Sequence, residues 1–187
     1  MMIITAMCMA FSGFLFFFIQ MFESKTKSGR MVINEPVPIL YAMIAGLVAS
    51  TSSCGYIDEI GAGIVGSTSA VIYWVCSKIV KRFEIDDPIE TFQTHFACGS
   101  WGIIAVGLFH TEKGLFYSGK PELLGYQLLY LLSFYAWGSA IGFGFFTACS
   151  QFNRIRIDQI YEIIGVDLLI NATGKGKDSQ TLVKKKS

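Results

Sequence analysis

Histidine is scarce in this chain of 187 residues, which carries only His95 and His110. His95 stands in the run Thr91–Phe109, TFQTHFACGSWGIIAVGLF, which from Phe96 onward is built for an apolar surrounding. Imidazole titrates near neutrality and both donates and accepts hydrogen bonds, so in such a run it is equipped to pass a proton. The bland reading is an imidazole satisfied by a neighbouring carbonyl, and the residue alone leaves the two open. His110 ends the run beside Thr111 and Glu112 and is expected to face water. Asp86, Asp87 and Pro88 precede the run. They read either as ion ligands or as a helix cap with Pro88 in the first turn. The cap is the stronger reading, because a helix N-terminus favours negative charge and a first-turn proline forfeits no hydrogen bond. The five cysteines form no CxxC pair, and there is no H-E-x-x-H, phosphate-binding glycine loop or nucleophile elbow. The chain is therefore not read as an enzyme, and no metal, cofactor or nucleic acid is expected.

The elements that must position these residues are apolar runs. The chain is 52% hydrophobic with 16 phenylalanines, and its charges fall in clusters between the runs. Runs at residues 3–22, 37–54, 60–80, 92–109 and 123–152 are long enough, at about 1.5 Å rise per residue, to cross a hydrocarbon core of roughly 30 Å. The first lacks a basic flank and a small-residue cleavage site, so it is read as a retained helix. Its abrupt start suggests a chain cut from something longer. Lys78 and the segments after the first, third and fifth runs hold every Lys and Arg except Lys113 and Lys120. The positive-inside rule then puts the N-terminus outside and the tail in the cytosol. His95, roughly 21 Å along a helix from Phe109, falls inside the membrane toward the cytosolic side, where an ionisable residue is costly and marks a pathway by default. Ala62-x-x-x-Gly66 and Gly138-x-x-x-Gly142 are small-residue pairs of the kind that let helices approach closely. Residues 1–157 are thus read as a transmembrane domain and 158–187 as a cytosolic tail, disordered from about residue 171.

Two blocks, AGLVASTSSCGYI (45–57) and EIDDPIETFQTHFACGSWGIIAVGLF (84–109), followed by YEIIGVD (161–167), resemble the ammonium transporter (Amt/Mep/Rh) family, in its Amt/Mep branch. The resemblance implies an all-α polytopic membrane protein whose five helices form the C-terminal part of an eleven-helix bundle. It implies a homotrimer with a narrow apolar pore in each subunit, lined by two histidines. His95 matches the second of these, and Thr51 matches a pore hydroxyl. Ala97, Gly99, Gly102 and Ile103 fit such a lining, whereas Trp101 is read as packing between helices. Phe96, where the family often has Gly, and Tyr41, where Asn is common, depart from its pattern. In the tail, the resemblance makes Gly165 and Asp167 regulatory, with residues 157–169 docked on the cytosolic face near Lys78–Arg82.

The expected function is transport of ammonium or ammonia through a histidine-lined pore, in an integral protein of the plasma membrane. The alternative is a non-conducting membrane protein that joins full-length relatives.

Overall fold

The computed structural model describes residues 1–28 and 36–152. All regular structure among them is helical: α1 (Met2–Ser28), α2 (Val37–Ser53), α3 (Glu59–Arg82), a π-helical segment (Phe92–Ala97) leading directly into α4 (Cys98–Phe109), a short α5 (Leu115–Ser118) and α6 (Glu122–Gln151). Three helices, α1, α3 and α6, have the length and apolarity to cross a membrane, and α2 is a shorter apolar helix. The fourth apolar run is not one uniform α-helix. Its first six residues are wound more widely, and the loop after it contains the unforeseen α5.

Local chemistry explains the boundaries. Pro36 precedes α2 and a proline occupies its first turn, where its missing N–H has no helical partner to lose. Asp58 caps α3, its Oδ1 accepting the Gly61 N–H at 2.8 Å. Glu59 in the first turn of α3 and Lys81 and Arg82 in its last complement the helix dipole. Gly119, at φ 71°, ends α5 in the left-handed conformation that glycine adopts without strain.

One compact unit, Met1–Phe134, holds helices α1–α5 and the start of α6. Contacts fix the helix directions. Cys8 meets Gly46 and Gly13 meets Met43, so α1 and α2 are antiparallel. Cys8 meets Gly66 while Phe16 stacks edge-on to Tyr73, so α1 and α3 are parallel. Gly99 lies over Val48 and Gly102 over Ala49, so α2 and α4 run together. The helix crossings are built from small residues: Ala42, Ala45, Ala49, Ala62, Ala70, Cys8, Cys98 and Ala105 are wholly buried. Between helices in lipid, such close backbone approach supplies the van der Waals contact that holds them. Buried hydroxyls are satisfied locally or across the crossing: Ser69 donates to Val65 O at 2.6 Å, and Ser12 of α1 donates to Ala42 O of α2 at 2.6 Å. The other unit begins at Tyr135 and, as far as it is described, is the rest of α6, with Trp137, Ile141, Phe143 and Phe145 exposed.

The two small-residue pairs differ. A Cβ on Gly66 would lie 2.8 Å from Cys8 Cα, whereas nothing among the described residues comes within 4 Å of one on Gly138 or Gly142. Gly102 is buried against the backbone of Ala49. It is a packing glycine of the α2–α4 crossing and not a lining residue, because only a residue without Cβ lets the two backbones come that close. Trp101 is half-buried against the core and donates to Val65 O at 3.3 Å. The tail positions, including Gly165, Asp167, the docking segment and the disorder assigned from residue 171, lie outside the described residues.

Candidate functional site

The end of the bundle that carries Lys78, Lys81 and Arg82 also carries Asp86, Asp87 and His95. After α3 the chain turns through Phe83–Glu90, and two non-glycine residues, Glu84 at φ 53° and Glu90 at φ 54°, adopt the left-handed conformation. Such a position costs an L-residue roughly 1–2 kcal/mol and persists only where surrounding contacts hold it. For Glu90 the contacts are plain. Its carboxylate accepts the hydroxyl of Tyr73, a residue 1% exposed in α3. Its carbonyl accepts both the N–H (3.1 Å) and the hydroxyl (2.6 Å) of Thr94.

Asp87 accepts the Thr91 N–H through Oδ1 and the Phe92 N–H through Oδ2, each at 2.9 Å. It thereby satisfies two of the orphan donors at the start of the π-helical segment. Asp86 beside it is exposed. Pro88 is not in the first helical turn. It sits in a preceding turn closed by the Glu90 N–H on Asp87 O at 3.2 Å, because the left-handed Glu90 interposes a reversal before the helix starts.

The π-helical segment widens the backbone by one residue per turn, and single turns of this kind rotate side chains relative to an α-helix. Gln93 and Thr94 point inward and are 1% exposed, while His95 and Phe96 point out of the bundle. The rings of Phe92 and Phe96 stack at 4.9 Å. His95 lies with Asp86, Asp87, Phe92 and Phe96 in an open groove of about 460 Å³. Thr51 is likewise exposed, near the opposite end of α2, with its hydroxyl donated to Val48 O at 2.7 Å. Since Val48 faces Gly99, Thr51 and His95 are offset by about 10 Å along the helix axes. The two residues are not in contact. They are two polar points on the outward sides of neighbouring parallel helices.

Sequence reasoning missed a cluster at the same end. Glu23 of α1 accepts the Trp74 indole N–H at 3.2 Å and pairs with Lys78 at 3.4 Å, while the Lys78 ammonium sits 3.8 Å from the centre of the Trp74 ring. The i,i+4 spacing of Trp74 and Lys78 was the available signal; Glu23 and Tyr73 gave none. At the other end His110 is half-buried and not simply hydrated. It stacks on Tyr56 at 5.2 Å, and its Nδ1 accepts the Glu112 N–H at 3.1 Å. Nearby, the Tyr117 hydroxyl donates to Asp58 at 2.5 Å. That bond, with the Gly61 N–H, holds the Asp58 carboxyl below its ordinary range and pushes the Tyr117 hydroxyl up. No cluster of three or more His, Cys, Asp or Glu side chains placed to hold a metal ion occurs among the described residues.

Several helices of membrane-spanning length and apolarity, packed through small residues, are the architecture of a polytopic membrane protein. Comparison with known proteins makes the class specific. The model of the Ammonium Transporter Family matches residues 1–174, and the chain belongs to that family. It is 33% identical over 137 residues to ammonium transporter 3 of Dictyostelium discoideum, covering 67% of this chain and 32% of that protein. It is 31% identical over 159 residues to an ammonium transporter of Bacillus subtilis, covering 79% of this chain and 39% of that protein. The chain thus spans about a third of the length of the curated relatives it matches. Its fold superposes on a solved sensor Amt protein with a TM-score of 0.74 at 24% identity, covering 89% of this chain and 40% of the other.

Proposed function

We propose that this chain forms one wall of an ammonium pathway, with His95 as its proton-handling residue and Thr51 as a second polar point toward the opposite end. The observation that carries the reading is the outward turn of His95 at the π-helical segment, in a chain of this family. Ammonium carries a full charge and crosses an apolar constriction only at high cost, whereas neutral ammonia crosses cheaply once its proton is handed on. Imidazole accepts and releases that proton near neutral pH. Phe92 and Phe96 supply apolar surface beside it.

In this reading the N-terminus is outside, the basic end lies in the cytosol, and the protein works in the plasma membrane as a homotrimer or joined to full-length relatives. Asp86, Asp87 and Pro88 act structurally at the entry to the His95 helix, and Gly165 and Asp167 act in regulation from the tail.

The test is a chimera in which residues 1–174 replace the matching segment of the Bacillus subtilis transporter, expressed in cells without ammonium uptake of their own. Labelled methylammonium should enter, and His95→Ala should lower entry by about tenfold or more, the effect of removing one hydrogen-bonding partner of a charged group. Gly165→Ala and Asp167→Asn should lower it as well. Unchanged rate and ion selectivity in His95→Ala would remove that residue from the pathway.

A second reading is favoured by the open face that bears His95. Here the chain is a non-conducting partner of full-length relatives. The 187-residue chain alone in liposomes should then take up no ammonium, yet co-purify with a full-length relative and alter its uptake. Uptake by the chain alone sinks this reading.

A further inference from the structure

We infer that Tyr73 and Glu90 form a lock that sets the orientation of His95, Tyr73 and Glu90 being positioning residues for the pathway proposed above, on which the functional part of this inference rests. The lock is a continuous set of contacts from the core to the histidine. Tyr73 is anchored in the bundle, 1% exposed, with its ring edge-on to Phe16 at 5.1 Å. Its hydroxyl is donated to the Glu90 carboxylate, a charge-assisted bond of the stronger class.

That bond holds Glu90 at φ 54°, a conformation an unrestrained glutamate leaves. The left-handed turn in its turn aims the Glu90 carbonyl along the helix axis, where it receives the Thr94 N–H at 3.1 Å and the Thr94 hydroxyl at 2.6 Å. Thr94 is the residue before His95 and is itself 1% exposed. From the other side, Asp87 fixes the Thr91 and Phe92 amides. With both ends of Thr91–Thr94 held, the extra residue of the π-helical segment is confined to Phe92–Ala97, and His95 is left no choice of face.

Asp87 is local to its targets, so it would cap a helix of any phase. Tyr73 is 17 residues away from Glu90 in sequence, on another helix. That link ties the turn immediately before His95 to α3.

The test uses the 187-residue chain in lipid nanodiscs with isotope-labelled histidine. Two histidines give two imidazole signals, assigned with His110→Asn. Tyr73→Phe removes one oxygen and keeps the ring on Phe16. The expected result is a shifted or broadened His95 signal, an unchanged His110 signal, and amide exchange at Thr94 and His95 faster by about tenfold, while exchange in the α3 segment Ala62–Ser69 is unchanged. Glu90→Gln keeps an acceptor for the Tyr73 hydroxyl and should keep the His95 signal near its native position. Glu90→Ala should reproduce Tyr73→Phe, and it lies in a turn, where loss of the whole fold is not at stake. An unmoved His95 signal in both Tyr73→Phe and Glu90→Ala overturns the lock. So does a change that spreads to His110 and α3, because Tyr73 then serves the core in general. The same two variants in the uptake chimera separate the layers. A displaced His95 with unchanged uptake leaves the lock standing and refutes the pathway reading.

Discussion

Replacing Gly66 by alanine tests the central crossing of the bundle. Cys8 of α1 lies in the groove between α2 and α3, flanked by Gly46 on one side and Gly66 on the other. A Cβ on Gly66 would come 2.8 Å from Cys8 Cα and closer still to its carbonyl oxygen, and one on Gly46 would come 2.5 Å from that same oxygen. Ordinary contact between such atoms is roughly 3.5–4.0 Å, so α1 must move by about 1 Å. With a helix on each side of the groove, its one free direction is outward. That movement stretches the 2.6 Å bond from Ser12 to Ala42 O and the contact of Cys8 Sγ with Ala62 O at 3.4 Å. Overpacking of this size costs about 1–3 kcal/mol and a strained hydrogen bond about 0.5–1.5 kcal/mol more, for a total of roughly 1.5–4.5 kcal/mol. Unfolding by SDS in mixed micelles, followed by tryptophan fluorescence, measures it, since Trp74 and Trp101 both belong to this unit. Gly46→Ala should cost a similar amount. The double variant should cost clearly less than the sum, because one outward movement relieves both clashes. Gly138→Ala and Gly142→Ala, where nothing among the described residues comes within 4 Å of the added Cβ, should leave stability unchanged or raise it by up to about 1 kcal/mol through helix propensity. A Gly66→Ala variant within about 0.5 kcal/mol of the native chain, or strict additivity of the pair, would refute the reasoning.

Other perturbations address the two ends. The Asp58 carboxyl titrates below its ordinary value in the fold. Its stabilising effect is therefore complete above the unfolded carboxylate value of about 3.9 and disappears as pH falls through the lower folded value. Asparagine caps a helix as well as aspartate. Asp58→Asn should thus retain protection of the Gly61 and Ala62 amides near neutrality and abolish its acid dependence below about pH 4; superimposable pH profiles would contradict this. At the basic end, Asp87→Ala should destabilise by about 0.5–2 kcal/mol and speed exchange at Thr91 and Phe92. Asp86→Ala, at an exposed position, should stay within about 0.5 kcal/mol of native. Equal effects of the two would show that the cap is shared.

The parts of this protein that can be read from its sequence are those dictated by solvent and by neighbours along the chain. Apolar runs near 20 residues announce helices because hydrocarbon leaves the backbone no other way to satisfy its polar groups. Asp58 and Pro36 mark helix starts for equally local reasons. What lies opposite a residue is not written in its spacing. Ala62/Gly66 and Gly138/Gly142 share one pattern, yet among the described residues only the first has a backbone against it. Gly102 suits a pore wall by composition, and the carbonyl of Ala49 behind it assigns it to packing. Pro88 reads as a first-turn residue because nothing in the type of Glu90 announces a positive φ, which asparagine or glycine would have signalled.

The site follows the same division. The presence of an imidazole is legible at His95, but its direction depends on Glu90 being held by Tyr73 from another helix. Once that direction is known, solvent again constrains the function. An imidazole on outward-facing surface within the membrane is costly against lipid tails, since lipid offers it no hydrogen-bond partner. On the pathway reading, the outward sides of α2 and α4 must therefore be covered by further protein or by a water-filled passage. A partner that covers them with apolar side chains and leaves a narrow gap turns the cost of an exposed histidine into a selective site. The same face covered by acyl chains alone would drive this region of the bundle to repack.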